Sequence, residues 1–344
     1  MTDRLLPTTL VGSYPQPGWL VDKAALMRAG PPRVRMREVW RFEGALLDEA
    51  QRDAARLAVA DQERAGIDIV TDGEVGRESY FNLFATSLDG IDLDNPGIAI
   101  NRRGKKTAVP RVTGPIVWRE SALAPAAAHL RSLTSRPIKV TVPGPFTLTT
   151  LAEDQHYRDP VALAQAYAVA VNQELKALKA VGVDVVQLDE PYLQAEPDKA
   201  RAYAVPAITA ALEGVPGTKA LHLCFGYAYV VKEKPSGYSF LAELADVPVD
   251  QISIEAAQPR LDPATLPMLA GKSYIYGVLD LGDESVEPAA VVAARIRAAL
   301  RHIPAERLIL APDCGMKYLP RDVAYGKLDA MCRAAETVRR ELAG

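Results

Sequence analysis

Eight short runs of apolar or β-branched residues recur along this chain, and their spacing constrains the fold more than any other feature. They cover residues 8–14, 67–73, 138–145 and 183–189 in the first half, and 219–226, 251–256, 273–280 and 308–315 in the second. Each ends in a polar turn, and most lead into a longer helical pattern, as at 161–181, 288–302 and 321–342. Strands alternating with helices imply right-handed βαβ units and a parallel sheet. Eight of them predict a closed (β/α)8 TIM barrel, a fold that accommodates all 344 residues as one domain, 1–344. The second run is followed by an insertion at 78–137, in which 98–116 reads as a hairpin. Its basic cluster Arg102, Arg103, Lys105 and Lys106 reads as a solvated loop.

The residues with chemical potential stand at or just beyond the ends of these runs: Ser13, Glu74, Asp189, His222, Cys224, Glu255, Asp280 and Cys314. In an α/β barrel the C-terminal strand ends converge on one face, where active sites are built. Residues scattered over 300 positions would therefore meet in one mouth. His222 and Cys224 are two apart, so on a strand they point the same way. With Glu255 and Cys314 at later strand tips they offer an imidazole, two thiolates and a carboxylate, a set suited to tetrahedral zinc. The alternative for His222-x-Cys224 alone is a buried thiol beside a satisfied core histidine. A carboxylate ending an apolar strand needs a partner to be buried, which favours the metal.

Charge and cysteine usage narrow the remaining classes. Forty basic against 43 acidic residues leave a net charge of −3 and a pI near 5.9, which gives no electrostatic reason to expect nucleic acid or an anionic membrane as partner. The first nine residues lack the basic and apolar regions of a signal peptide, and no apolar run approaches the roughly 20 residues that span a bilayer. A cytoplasmic protein is expected. Three widely spaced cysteines do not form a disulfide framework.

The strand-end motifs resemble those of cobalamin-independent methionine synthases. They are Gly12-Ser13-Tyr14-Pro15-Gln16, Asp72-Gly73-Glu74, Gly144-Pro145-Phe146-Thr147, Gln187-Leu188-Asp189-Glu190-Pro191, His222-x-Cys224, Ser253-Ile254-Glu255 and Pro312-Asp313-Cys314-Gly315-Met316-Lys317. The likeness runs in order along nearly the whole chain and corresponds to that family's catalytic barrel, without its fused N-terminal barrel. It implies a zinc-held homocysteine thiolate that takes a methyl group. By position it makes His222, Cys224, Glu255 and Cys314 zinc ligands. It places the homocysteine amino group at Glu74 and Asp189 and the carboxylate at Ser13. Two acids in one mouth suit an ammonium group; the alternative for Glu74 and Asp189 is helix capping or salt bridging at the barrel end, and Glu190 could serve substrate or structure.

Two positions depart from the folate-dependent members. Their Asp-Ile-His-Ser motif, whose histidine delivers a proton to the folate, reads Asp280-Leu281-Gly282-Asp283 here. Their pterin-packing tryptophan falls at Leu151. Asp280 and Asp283 then become the nearest candidate acids, provided their pKa values are raised. The expected activity is methyl transfer to a thiol, most simply homocysteine, from a donor other than folate polyglutamate, such as a methylcorrinoid or corrinoid protein. One alternative is a zinc-thiolate alkyl transfer of the epoxyalkane:coenzyme M type, although Glu74 and Asp189 would repel a sulfonate. Another, of a different class, is a non-catalytic protein whose zinc only staples the fold.

Overall fold

A computed structural model describes residues 4–100, 104, 106–269 and 271–344. Among the described residues there are nine strands: β1 (Asp89–Ile100), β2 (Lys106–Val117), β3 (Lys139–Pro143), β4 (Glu153–Asp154), β5 (Val185–Asp189), β6 (Thr218–Leu223), β7 (Gln251–Ile254), β8 (Ser273–Leu279) and β9 (Leu308–Pro312). Six of them form one parallel sheet in the order β3-β5-β6-β7-β8-β9. Two further segments close it through parallel bridges, Thr8 with Leu310, Thr9 with Ile69, and Val70 with Ile138. The backbone bonds Thr9 N to Leu310 O (2.9 Å), Ile69 N to Thr8 O (3.0 Å) and Lys139 N to Val70 O (2.9 Å) complete the ring. The chain is a (β/α)8 barrel in which six of the expected strands are regular and the first two are reduced to these bridge pairs.

Period-two alternation sorts the strand residues. Val186 and Leu188, Leu221 and Leu223, and Leu308 and Leu310 join the main core, where the helices pack. Their neighbours Val11, Val185, Ala220, Ile275, Ile309 and Ala311 form a separate small cluster inside the ring. Above that layer the inward positions turn polar: Thr141, Gln187, Asp189, His222 and Ser253 are all buried. The helices start and stop where chain chemistry allows. Asp159 caps Pro160–Ala180 by accepting from Val161 N at 2.8 Å, with Pro160 in the first turn. Gly66, at φ +95°, ends Gly44–Ala65 in the left-handed conformation that glycine tolerates. After β6 and β7 only the short 3-10 helices Ala242–Leu244 and Pro263–Met268 occur. No helix among the described residues is long and apolar enough to cross a membrane.

The insertion holds an antiparallel hairpin, but it is longer than the sequence suggested, running from Asp89 to Val117. Its first strand begins Asp-Gly-Ile-Asp-Leu-Asp-Asn-Pro-Gly, a composition depleted in strands, and its register slips between Asp92 and Gly97. Glu153 in β4 ties the hairpin to the barrel by accepting from Arg111 Nε and Ile98 N, both at 2.9 Å. Of the predicted basic cluster, Lys106 is exposed at the start of β2, whereas Arg102, Arg103 and Lys105 lie outside the described residues.

One buried carboxylate braces the barrel mouth. Asp313, fully buried past β9, accepts from the amides of Ala256 (3.0 Å), Ala257 (2.9 Å) and Gln258 (2.6 Å) beyond β7. Asp313→Ala strands three amide donors, so urea unfolding should show a loss of at least about 2 kcal/mol.

Candidate active site

The barrel mouth encloses a cavity of about 450 Å³. Its wall includes Gly12, Ser13, Glu74, Asp189, His222, Cys224, Cys314 and Gly315, which come from the ends of five different strands. The convergence anticipated from the sequence is therefore present, and each side chain has a local cause.

His222, Cys224 and Cys314 form the floor. One ligand atom from each lies within 4.8 Å of the others, and all three residues are buried. His222 Nδ1 shares a 2.8 Å hydrogen bond with Ser253 Oγ, leaving Nε2 buried and without a partner. A buried imidazole nitrogen so placed beside two thiols is what a metal ligand looks like, and the Ser253 bond fixes the tautomer that ligation requires. The Cys314 thiol is pushed well above its ordinary value by the hydrogen bond with Cys224, by burial and by nearby Glu255. A divalent cation would reverse that balance. None of the three cysteines is in a disulfide.

Glu255, the fourth expected ligand, is held apart from these three by other partners. Its Oε1 accepts from Phe225 N at 2.9 Å and its Oε2 pairs with Lys234, both side chains being almost fully buried. To ligate a metal it would have to release Lys234. Tyr238 donates to the Leu223 and Glu255 carbonyls and accepts from Glu255 N at 2.7 Å, which holds the 226–240 loop over this pair.

Glu74 and Asp189 face the cavity. Glu74 sits at φ +52°, a left-handed conformation held by Asp72 Oδ1, which accepts its amide at 2.9 Å. Its Oε1 accepts from Thr141 Oγ1 at 2.9 Å, while Oε2 is buried without a partner. Gly12 permits this, because a Cβ there would stand 2.3 Å from Glu74 Oε1. Asp189 accepts from Gln187 Nε2 at 2.8 Å. Burial pushes its pKa up to about 7, with His222 pulling it down and Glu74 raising it further. Beneath them Lys139, buried in β3, donates to Leu10 O. Burial lowers its pKa to about 7 against the pull of Asp189 and Glu74. Arg77, also buried, reaches Asp72 at 3.4 Å and the Thr141 carbonyl at 3.1 Å. Ser13 packs against Gly315 and approaches Tyr227 Oη at 3.5 Å.

Four other expectations find different places. Glu190 does not line the cavity; it accepts from Phe146 N (2.9 Å), Thr147 N (2.8 Å) and Thr147 Oγ1 (2.6 Å) at the start of helix Pro145–Thr150. Gly144 allows this approach, since a Cβ there would meet Glu190 Oε1 at 2.1 Å. Asp280 and Asp283 also lie outside the cavity wall. Asp280 Oδ1 accepts from Gly282 N at 2.7 Å; Asp283 is exposed and accepts from Ser285 N at 2.8 Å, a bond that lowers its pKa, the wrong direction for an acid at neutral pH. Leu151 is fully buried in the core.

Sequence reasoning missed the cationic and aromatic wall. Lys139 was visible as a lone charge in an apolar strand. Lys234 was not, because Lys-Glu-Lys-Pro-Ser-Gly reads as an ordinary solvated loop. Arg33, Tyr80, Tyr227 and Tyr229 line the cavity from loops with no periodic signal.

Comparison with known proteins gives concordant results. Residues 6–337 match the family described as "Cobalamin-independent synthase, Catalytic domain". A methionine synthase of Saccharolobus solfataricus is 33% identical over 346 residues, covering 98% of this chain and 96% of its own. One from Thermococcus kodakarensis is 34% identical over 343 residues, covering 98% and 95%. The solved structure of a B12-independent methionine synthase from Shewanella sp. W3-18-1, in complex with selenomethionine, superposes with a TM-score of 0.89 at 33% identity. It covers 98% of this chain and 99% of that one.

The placement of Glu190 has a measurable consequence. Glu190→Gln should lower unfolding stability by about 1–3 kcal/mol, because one oxygen facing amide donors becomes a donor itself. Calorimetric titration of the cavity's ligand should show affinity unchanged.

Proposed function

Because the chain belongs to the cobalamin-independent methionine synthase family, we propose that it is a zinc-dependent methyltransferase that converts homocysteine to methionine, using a methyl donor other than folate polyglutamate. The observation that carries this reading is the orphaned His222 Nε2 beside Cys224 and Cys314, in the wall of the cavity that also exposes Glu74 and Asp189. Three protein ligands on an open wall match catalytic rather than structural zinc sites, which close with a fourth. That favours an enzyme over a metal-stapled structural protein.

Zinc, when bound, would supply the means to deprotonate a substrate thiol that is only a few per cent thiolate at neutral pH. The remaining work falls to side chains. Glu74 Oε2, dry and without a donor, and Asp189 accept the hydrogens of the substrate ammonium, a charge-assisted pairing that also holds Asp189 ionised. In this reading Ser13 and the backbone of its loop, which line the same cavity, take the substrate carboxylate. The sulfur then forms its bond to the methyl carbon as the donor–methyl bond breaks, with the electron pair leaving on the donor. The Shewanella relative is in complex with selenomethionine, the selenium counterpart of methionine, which supports methionine as the product here.

The donor assignment rests on what the β8 end lacks. A folate nitrogen leaves well only when protonated, and a positioned acid is worth about 10²–10⁴ in rate. Gly282 carries no acid, Asp283 is held ionised at the surface, and Leu151 is sealed in the core. A cobalt-bound methyl group departs without a proton.

Two outcomes follow. Zinc-loaded protein should hold one metal per chain by elemental analysis, and Cys224→Ser or Cys314→Ser should lose most of it while far-UV circular dichroism stays unchanged. Full zinc in both variants would refute the ligand assignment. Methionine formation from homocysteine should proceed at least about 100-fold faster with methylcobalamin than with methyl-folate triglutamate; equal rates would place a proton donor elsewhere in the cavity.

A further inference from the structure

The cavity is larger than an amino-acid thiol requires, and its outer end differs in chemistry from its floor. Pockets of about 300–1,000 Å³ serve ligands of drug size, so a volume of about 450 Å³ leaves space beside a four-carbon amino acid. The wall also carries the exposed Arg28 and Tyr229, the half-buried Arg33 and the buried Tyr80.

Arg33 is the unusual member. Its guanidinium carbon lies 5.3 Å from the Tyr80 ring centroid and 5.4 Å from that of Phe81. Its Nη1 is buried with no hydrogen-bond partner, and no carboxylate among the described residues forms an ion pair with it. Tyr80 hydrogen-bonds the guanidinium, and the electrostatic neighbours that act on it are tyrosines 80, 192 and 318. Arg35, two residues on, pairs with Glu78 at 3.1 Å, and Arg77 reaches Asp72. Arg33 alone of these keeps its charge uncompensated. Leaving a buried guanidinium nitrogen without an acceptor is costly, and such groups call for a bound partner as explanation. The flanking rings fix the guanidinium plane by cation–π contact, which pre-organises its fork for bidentate pairing with a carboxylate or phosphate.

We propose that Arg33 anchors an anionic group, a carboxylate or a phosphate, on the second substrate, the methyl donor. This rests on the two-substrate methyl transfer proposed above. In the reading proposed above the acceptor's ammonium and carboxylate are taken by Glu74, Asp189 and Ser13, whereas Arg33 lines the same cavity with a buried nitrogen that has no acceptor. Arg28 on the same rim adds attraction for an anion.

The test uses zinc-loaded full-length protein, Arg33→Gln and Arg33→Lys. Calorimetric titrations with inorganic phosphate and with glutarate, in saturating homocysteine, separate the two anion classes. Wild type should bind one of them, Arg33→Gln at least about tenfold more weakly, and Arg33→Lys in between, because it keeps the charge and loses the fork. Homocysteine affinity should change less than about twofold. If phosphate is the group, Arg33→Gln should raise KM for methylcobalamin about tenfold and leave that for methylcobinamide, which lacks the phosphate, unchanged. Three results would overturn the proposal: neither anion binds wild type, both bind Arg33→Gln as well as wild type, or homocysteine itself loses tenfold affinity. The last would make Arg33 an acceptor anchor and favour an anionic thiol such as a sulfonate. If Arg33→Gln does not fold, the Arg33→Lys loss decides. Failure of every methyl donor with wild type would count against the function and leave the anion titrations standing as the test of Arg33.

Discussion

A closed ring of parallel strands forces every second side chain into a space too small for water to circulate, and the chemistry of this protein depends on how that space is filled. Small aliphatic residues such as Val185, Ala220 and Ile309 pack its lower layer. One step higher the inward positions are Thr141, Gln187, Asp189, His222 and Ser253, polar groups that must satisfy one another or wait for a ligand. Most are satisfied: Thr141 donates to Glu74, Gln187 to Asp189, and Ser253 shares a bond with His222. Among the atoms left over are Gln187 Oε1, His222 Nε2 and Glu74 Oε2, and the last two belong to residues of the cavity wall. An unsatisfied base beside two thiols and an unsatisfied carboxylate oxygen describe a metal and an ammonium by their absence of other partners.

The surrounding charges follow from the same constraint. Burial raises Asp189 to about 7 and lowers Lys139 to about 7, so neither is firmly committed to its ionised form until a partner arrives. Arg77, facing Asp72, Glu74 and Asp189, offsets the acids beside the cavity. Asp313 and Glu190 are equally buried, yet each is saturated with backbone amides. Carboxylates of similar burial thus divide into those that hold loops and those that face a ligand, and the division lies in what their oxygens touch.

That division explains what the sequence could and could not reveal. Strands are apolar runs bounded by turns, so all eight were legible, as was the convergence of Ser13, Glu74, Asp189, His222, Cys224 and Cys314 on one mouth. Glu190 is adjacent to Asp189 in sequence and faces the opposite way, toward the Phe146 and Thr147 amides; adjacency in a strand-end turn does not report direction. Glu255 ends its strand as expected of a ligand, but Lys234 arrives from 21 residues away along a loop whose composition is that of any surface. The hairpin's first half hides behind Asp, Asn, Pro and Gly because its pairing is irregular. Arg33 gives no signal in sequence, since its significance is the carboxylate it lacks.

The most direct test of the central claim, that His222, Cys224 and Cys314 hold a metal that receives the substrate thiol, is X-ray absorption at the zinc edge of the loaded protein, with and without homocysteine. The account predicts two sulfur scatterers at about 2.3 Å in the zinc protein alone and three once homocysteine is added. A sulfur count that stays at two, or that starts below two, would contradict it.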